Sequence, residues 1–213
     1  MINGIRKAAM QAPQPLAAKP LVDDPTARLE AMYRRIWIDS MRDLPFVNLA
    51  LSVEAIGFRR WRPASSLSAA ADSTRLPAST ANGRLSGSGD WVGALITPWF
   101  INLMVLPGGG ELWSDRPAGE RCHIDFPIGP LEFIADNDAA AEIPAYQYCP
   151  LFAPPGHFAS QAAARAAAMA ALEAMFATPE AACAAARLAA AEQPQRASRR
   201  SFMRRIARSQ ARD

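Results

Sequence analysis

Three cysteines and two histidines are the residues of this chain best suited to nucleophilic or metal chemistry, and their spacing limits what they could do. Cys122 and His123 are adjacent in a β-rich run, RCHIDF. Neighbours on a strand point to opposite faces, which argues against one metal shared by both and by Cys149 and His157. Cys149 lies just ahead of His157 across a proline-rich segment. A nucleophilic thiol there needs a lowered pKa and a hydrogen-bonded base; the alternative is a packed, inert cysteine. Cys183 stands in an alanine-rich run. An odd number of widely spaced cysteines supplies neither CxxC spacing nor a disulfide framework, so reduced thiols are expected. No catalytic residue, metal or cofactor is assigned to any of them.

Two other stretches invite chemistry and fall short of it. Pro107-Gly108-Gly109-Gly110 is glycine-rich like a phosphate loop, but no Gly-Lys-Ser/Thr follows, and Glu111 sets a negative charge where phosphate would lie. It reads as a turn. Asp136-Asn137-Asp138 opens like a calcium loop, yet neither the required glycine nor the terminal bidentate glutamate follows. What remains is a concentration of aromatics and prolines, among them Trp91, Pro98, Trp99, Trp113, Tyr146, Tyr148, Phe152 and Pro154. Rigid amphipathic rings suit a groove for peptide. Filling a small core is the competing reading, favoured for Trp91 and Phe100, whereas Trp99 and Tyr148, beside prolines or in loops, stay open.

These residues need elements to place them. Asp24 followed by Pro25 marks a helix start, and Leu29, Met32, Tyr33, Ile36, Trp37 and Met41 form an apolar stripe up to Pro45. From Leu49 the pattern alternates toward Trp61, predicting a strand. Residues 63–89 are Ser, Ala and Gly with almost no large apolar side chain, which predicts a disordered insertion. DWVGALI and FINLMVL, parted by Thr97-Pro98-Trp99, predict two central strands or one bent strand. RCHIDF and LEFIA, joined through Pro127-Ile128-Gly129-Pro130, predict an antiparallel pair. Ser160 to Phe176 is a helix, with Met169, Leu172, Met175 and Phe176 as its bulky contacts, and Thr178-Pro179 opens another reaching about Ala191. The expected class is α+β, an antiparallel sheet packed against an N-terminal helix and two C-terminal helices. The domain spans 23–192, between an arm over 1–22 and a basic tail over 193–213.

The charge distribution excludes a further class. Residues 194–213 hold seven arginines and one aspartate, and Arg6, Lys7 and Lys19 add to the other end, leaving −6 over residues 21–193 out of a formal +3. A mildly acidic body repels a phosphate backbone, so no nucleic-acid partner is expected. No apolar run reaches the roughly 20 residues of a membrane helix, and the first residues lack a secretory signal, so the expected location is the cytoplasm without stable membrane insertion.

At Thr97-Pro98-Trp99-Phe100-Ile101-Asn102-Leu103 with Leu106-Pro107-Gly108, and again at Tyr148-Cys149-Pro150-Leu151-Phe152-Ala153-Pro154, the chain resembles the HybE family of [NiFe]-hydrogenase assembly chaperones. The order of features agrees as well, from a leading helix ending Met41-Arg42-Asp43-Leu44 through Leu112-Trp113 and Phe126-Pro127-Ile128-Gly129 to an arginine-rich tail. The resemblance covers roughly residues 24–205 without the insertion. It implies a cytoplasmic, non-enzymatic accessory protein that binds a hydrogenase subunit precursor, in the first instance the small subunit with its twin-arginine signal, before export. Other maturation proteins are further candidate partners. The alternative is a metal carrier or a thiol-dependent factor acting on the same hydrogenase, through Cys122 and His123 or through Cys149 and His157.

Ser198-Arg199-Arg200-Ser201-Phe202-Met203 reads like a twin-arginine signal, but Arg204-Arg205-Ile206 follows instead of a hydrophobic run, so it cannot export this chain. It either mimics the client's signal in the chaperone's own groove or is a solvated basic tail. The candidate partner-binding residues are Thr97, Pro98, Trp99, Trp113, Tyr148, Cys149, Phe152, Pro154, Arg199 and Arg200.

Overall fold

The first helix begins just after Asp24 and Pro25, with Pro25 at the N-cap and not at the first helical position expected of it. In the computed structural model, which describes residues 17–63, 89–178 and 180, the Asp24 carboxylate accepts the Thr26 N–H at 2.8 Å. Helix α1 runs Thr26–Ile36 and buries Leu29, Met32 and Tyr33. The backbone then widens into a π-helical turn, Trp37–Met41, closed by an Arg42 N–H to Trp37 carbonyl bond of 3.1 Å. A wider turn changes the angle between successive side chains, so the apolar stripe does not continue as expected. Ile36 is 37% exposed, Ile38 is exposed as well, and Trp37 is half-buried.

Six strands follow: β1 Glu54–Trp61, β2 Asp90–Ile96, β3 Ile101–Leu106, β4 Arg121–Phe126, β5 Gly129–Asn137 and β6 Ala145–Phe152. They form one sheet in the order β1-β2-β3-β6-β5-β4, antiparallel at every step. Two three-stranded meanders thus meet at β3 and β6. Helix α2, Gln161–Phe176, completes the described elements, all within the first of two compact units, Met1–Phe176 and Ala177–Asp213. The second C-terminal helix and the insertion expected over 63–89 lie, apart from their ends, outside the described residues.

β2 and β3 are buried along their whole length because a helix covers each face of the sheet. Trp91, Leu95, Met104 and Leu106 pack with the α1 residues Leu29, Met32 and Tyr33. The alternate residues Val92, Ala94, Ile96, Leu103 and Val105 pack with Ala164, Ala168, Leu172 and Met175 of α2. The class is therefore α+β. Small alanines bring α2 close to the sheet, and Met169, expected as a contact, places its sulfur 3.6 Å from where a Cβ on Gly57 of β1 would stand while staying 37% exposed. Gly57 permits that approach: it sits at a bulge between Ile56 and Arg59 with φ of 65°, and a Cβ there would lie 2.8 Å from a Leu172 methyl.

Three differences from the sequence expectation have local causes. β1 begins at Glu54 rather than Leu49, because the Asn48 side chain accepts the Ala50 N–H at 3.0 Å and bends the chain first. The loop between β4 and β5 shortens to Pro127 and Ile128, since Phe126 already pairs with Gly129. β6 runs through Pro150, a residue that argues against an inner strand. Pairing with β5 ends at Tyr148, so Pro150 needs only its β3 partner, Asn102.

The glycine-rich turn does gather its N–H groups on an anion, but the anion is internal. The fully buried Asp90 carboxylate accepts from Gly108, Gly110, Leu112 and Trp113 at 2.8 to 3.0 Å. A Cβ on Gly108 would lie 2.3 Å from the Gly89 carbonyl oxygen. Arg60 donates to the Gly108 and Leu21 carbonyls, and Trp91 Nε1 also donates to Leu21. These bonds tie residues 17–22 of the N-terminal arm along the sheet.

Candidate partner-binding surface

Two of the sequence motifs meet at one end of the sheet. The turn between β2 and β3 is built by Thr97, whose hydroxyl accepts from the Phe100 and Trp99 N–H groups at 2.9 and 3.3 Å. Beside it, β6 ends at Phe152 opposite Ile101 and continues through a cis Ala153–Pro154 bond. Asn48 clasps the two together. Its N–H donates to the Pro98 carbonyl at 2.7 Å, and its side-chain amide donates to the Pro155 and Phe158 carbonyls at 3.1 and 2.8 Å. Nothing in its sequence neighbourhood singles Asn48 out, because its partners lie far along the chain.

This end presents apolar side chains to solvent. Leu49 is 78% exposed and Phe46 47%, Pro154 is exposed, and Phe152 is half-buried with its ring edge-on to His157 and Phe158 at 5.0 and 4.9 Å. Large exposed apolar residues grouped in this way mark an interaction surface more often than a free one.

The other expected contact residues occupy different places. Thr97 and Pro98 are buried in the turn. Trp99, 9% exposed, lies beneath it, stacked on Trp37 at 5.9 Å and 7°. Trp113 is buried at the opposite end of the sheet, its indole N–H donating to Asp115 at 2.9 Å. Tyr148 lies on β6 rather than in a loop and is half-buried beside Tyr146. Cys149 is half-buried opposite Leu103, and burial, with Glu132 adding to it, pushes its thiol above the ordinary range. Burial does the same to Cys122, while His123 on the next position points out to solvent. A raised thiol is the opposite of an activated nucleophile. Arg199, Arg200 and Cys183 lie outside the described residues. Among the described residues, no group of three or more His, Cys, Asp or Glu side chains is arranged to hold a metal ion, and no helix is long and apolar enough to cross a membrane.

A second feature escaped the sequence reading. A cleft of about 480 Å3 opens between the end of α1 with its π-helical turn and the connection from β5 to β6. Met32, Ile36 and Tyr146 give it apolar walls, and Asp39, Asp136 and Asp138 line it with carboxylates. Tyr146 donates its hydroxyl to Asp136 at 2.6 Å, and its phenol is held well above the ordinary range by burial, then by Tyr33 and Asp136. Burial likewise pushes Tyr33 up to about 12. Asp136 and Asn137, read in sequence as part of a turn, instead end β5 and pair with Tyr146 and Ala145, and the α1 residues facing them could not be read from sequence.

Comparison with known proteins places these features in a family. The family described as "[NiFe]-hydrogenase assembly, chaperone, HybE" matches residues 24–205. Protein HoxT of Cupriavidus necator is 36% identical over 163 residues, 74% of this chain and 79% of that protein. "Probable rubredoxin HupJ" of Rhodobacter capsulatus is 35% identical over 140 residues, 66% of this chain but 40% of the relative's own length. The solution structure of HybE from Escherichia coli is 21% identical, with a TM-score of 0.48 over 76% of this chain and 82% of that one.

Proposed function

The chain belongs to the HybE family of [NiFe]-hydrogenase assembly chaperones, and from that premise we propose that it holds a hydrogenase subunit precursor during maturation without doing chemistry on it. The client is the small subunit, recognised through its twin-arginine signal in the cytoplasm before export. The observation that carries a binding role is the apolar sheet end, where Phe46 and Leu49 stand exposed around Asn48, which bonds to the Pro155 and Phe158 carbonyls of the segment that carries Phe152 and Pro154. Such a surface accepts an extended segment by burying apolar side chains between rigid rings and prolines. In this reading Thr97, Pro98 and Trp99 shape the surface from beneath. Tyr148 and Cys149, half-buried on opposite faces of β6, lie farther along the sheet, Trp113 supports its buried far end, and Arg199 and Arg200 act from the tail.

A thiol-dependent role on the same hydrogenase is disfavoured by burial of Cys149, which stabilises the neutral thiol. The test is co-purification of the tagged protein from cells making the hydrogenase subunits, with the small subunit's signal present or deleted. Capture of the small subunit only when the signal is present is the expected result. Capture of neither subunit would overturn the chaperone reading and return thiol chemistry and metal carriage to consideration.

A further inference from the structure

We infer that the acidic cleft between α1 and the β5–β6 connection is a specificity pocket for an arginine side chain carried by an extended segment of the client. The inference rests on the proposal that the client is a polypeptide, and it concerns a place apart from the apolar sheet end.

Charge is the first argument. Asp39, Asp136, Asp138 and Glu142 line the cleft against a single cation, Arg35. Arg35 pairs with Glu142, so that couple is internally neutral and three carboxylates remain. Asp136 is bonded to the Tyr146 hydroxyl and Asp138 to the Ala140 N–H, both neutral donors that leave the negative charge uncompensated. Asp39 makes no ion pair among the described residues.

Shape is the second. The carboxylates are not gathered as a metal site would require, and the cleft, at about 480 Å3, is far roomier than a bare ion needs. Its remaining walls are Met32, Ile36, Ala140, Ala141 and the Tyr146 ring. A long aliphatic stem ending in a flat, weakly hydrated cation matches apolar walls with acidic tips, and that describes arginine better than lysine. The cleft's own rim shows the fit, since Glu142 takes the Arg35 guanidinium on its carboxylate and an Arg28 guanidinium on its carbonyl at 2.5 Å.

The backbone is the third. Asp39 and Ser40 of the π-helical turn line the cleft beside Ile36, the last residue of α1. A π-helical turn is a costly conformation that concentrates at functional sites.

The test is fluorescence anisotropy with a short fluorescein-labelled peptide carrying two adjacent arginines followed by apolar residues, against the same peptide with lysine or glutamine at both positions. Asp39→Asn and Asp138→Asn keep an acceptor oxygen and so preserve the local turns, and Glu173→Gln on α2 serves as a remote charge control. Each cleft variant is expected to bind the arginine peptide at least about ten-fold more weakly, with the control unchanged and the glutamine peptide weak throughout. Equal affinity for the arginine and glutamine peptides overturns the inference, as does an equal loss in the remote control. If the precursor is captured by wild type and by both cleft variants alike, the pocket fails while the chaperone role stands. If the arginine peptide binds as expected but no precursor is captured, the pocket stands and the assigned client fails.

Discussion

Asp90 holds together a part of the molecule that its sequence neighbourhood presents as a simple turn. Its carboxylate accepts from four converging N–H groups, from Gly108 to Trp113, and a fully buried charge of this kind persists only when it is hydrogen-bonded on all sides. Asp90→Ala is expected to destabilise the fold by more than about 3 kcal/mol, since each buried, abandoned N–H costs on the order of 1 kcal/mol or more. Asp90→Asn should cost nearly as much, because its amide would present donors to donors. Urea unfolding of the two variants against wild type measures this, and a loss below about 1 kcal/mol would mean that water replaces the carboxylate. At this scale the sequence was legible where chemistry is local. Asp24 accepts the first N–H of the helix that follows Pro25, and Cys122 and His123 part to opposite sides of a strand. It was not legible where a side chain such as Asp90 or Asn48 reaches partners far away in the chain.

Elements were readable in proportion to how regular their periodicity is. The runs DWVGALI, RCHIDF and SQAAARAAAMAALEAMF each became one element within a residue of its expected limits, because burial on one or both faces leaves a plain pattern. α1 broke its stripe at the π-helical turn, and β6 was hidden by Pro150, whose tolerance depends on where β5 stops. Packing between α1 and the sheet also has a pH signature. Burial against α1 and β6 neighbours pushes the Tyr33 phenol from its ordinary 10.0 up to about 12. A folded-state value raised above the unfolded one means stability fully present below pH 10 and lost as pH rises through about 12. The loss from this one group is on the order of 2 to 3 kcal/mol. Tyr33→Phe should flatten that part of the profile, read from urea midpoints at about pH 9.5 and about pH 11.5, between which most of the loss falls. An unaltered slope would assign the alkaline loss to Tyr146 instead.

The whole chain divides its charge unequally, and that division makes a prediction that the fold alone does not. The formal net charge is +3, yet the seven arginines of residues 194–213 stand against a body that is net acidic, and the cleft at the end of α1 is itself lined with carboxylates. Any attraction of the intact protein to a polyanion should therefore come from the tail, whereas the body should repel the same surface. Deleting residues 196–213 removes all seven arginines and one aspartate and reverses the sign of the net charge. On a heparin column the intact protein is expected to be retained at low salt and released as ionic strength rises, and the shortened protein to pass through. Retention of both would place a basic patch on the body, contrary to its composition. Run beside the precursor-capture experiment, the same deletion separates two roles for the tail. If it abolishes heparin retention and leaves capture intact, the arginines act as a solvated charge; if capture strengthens, Arg199 and Arg200 compete with the client for its own site.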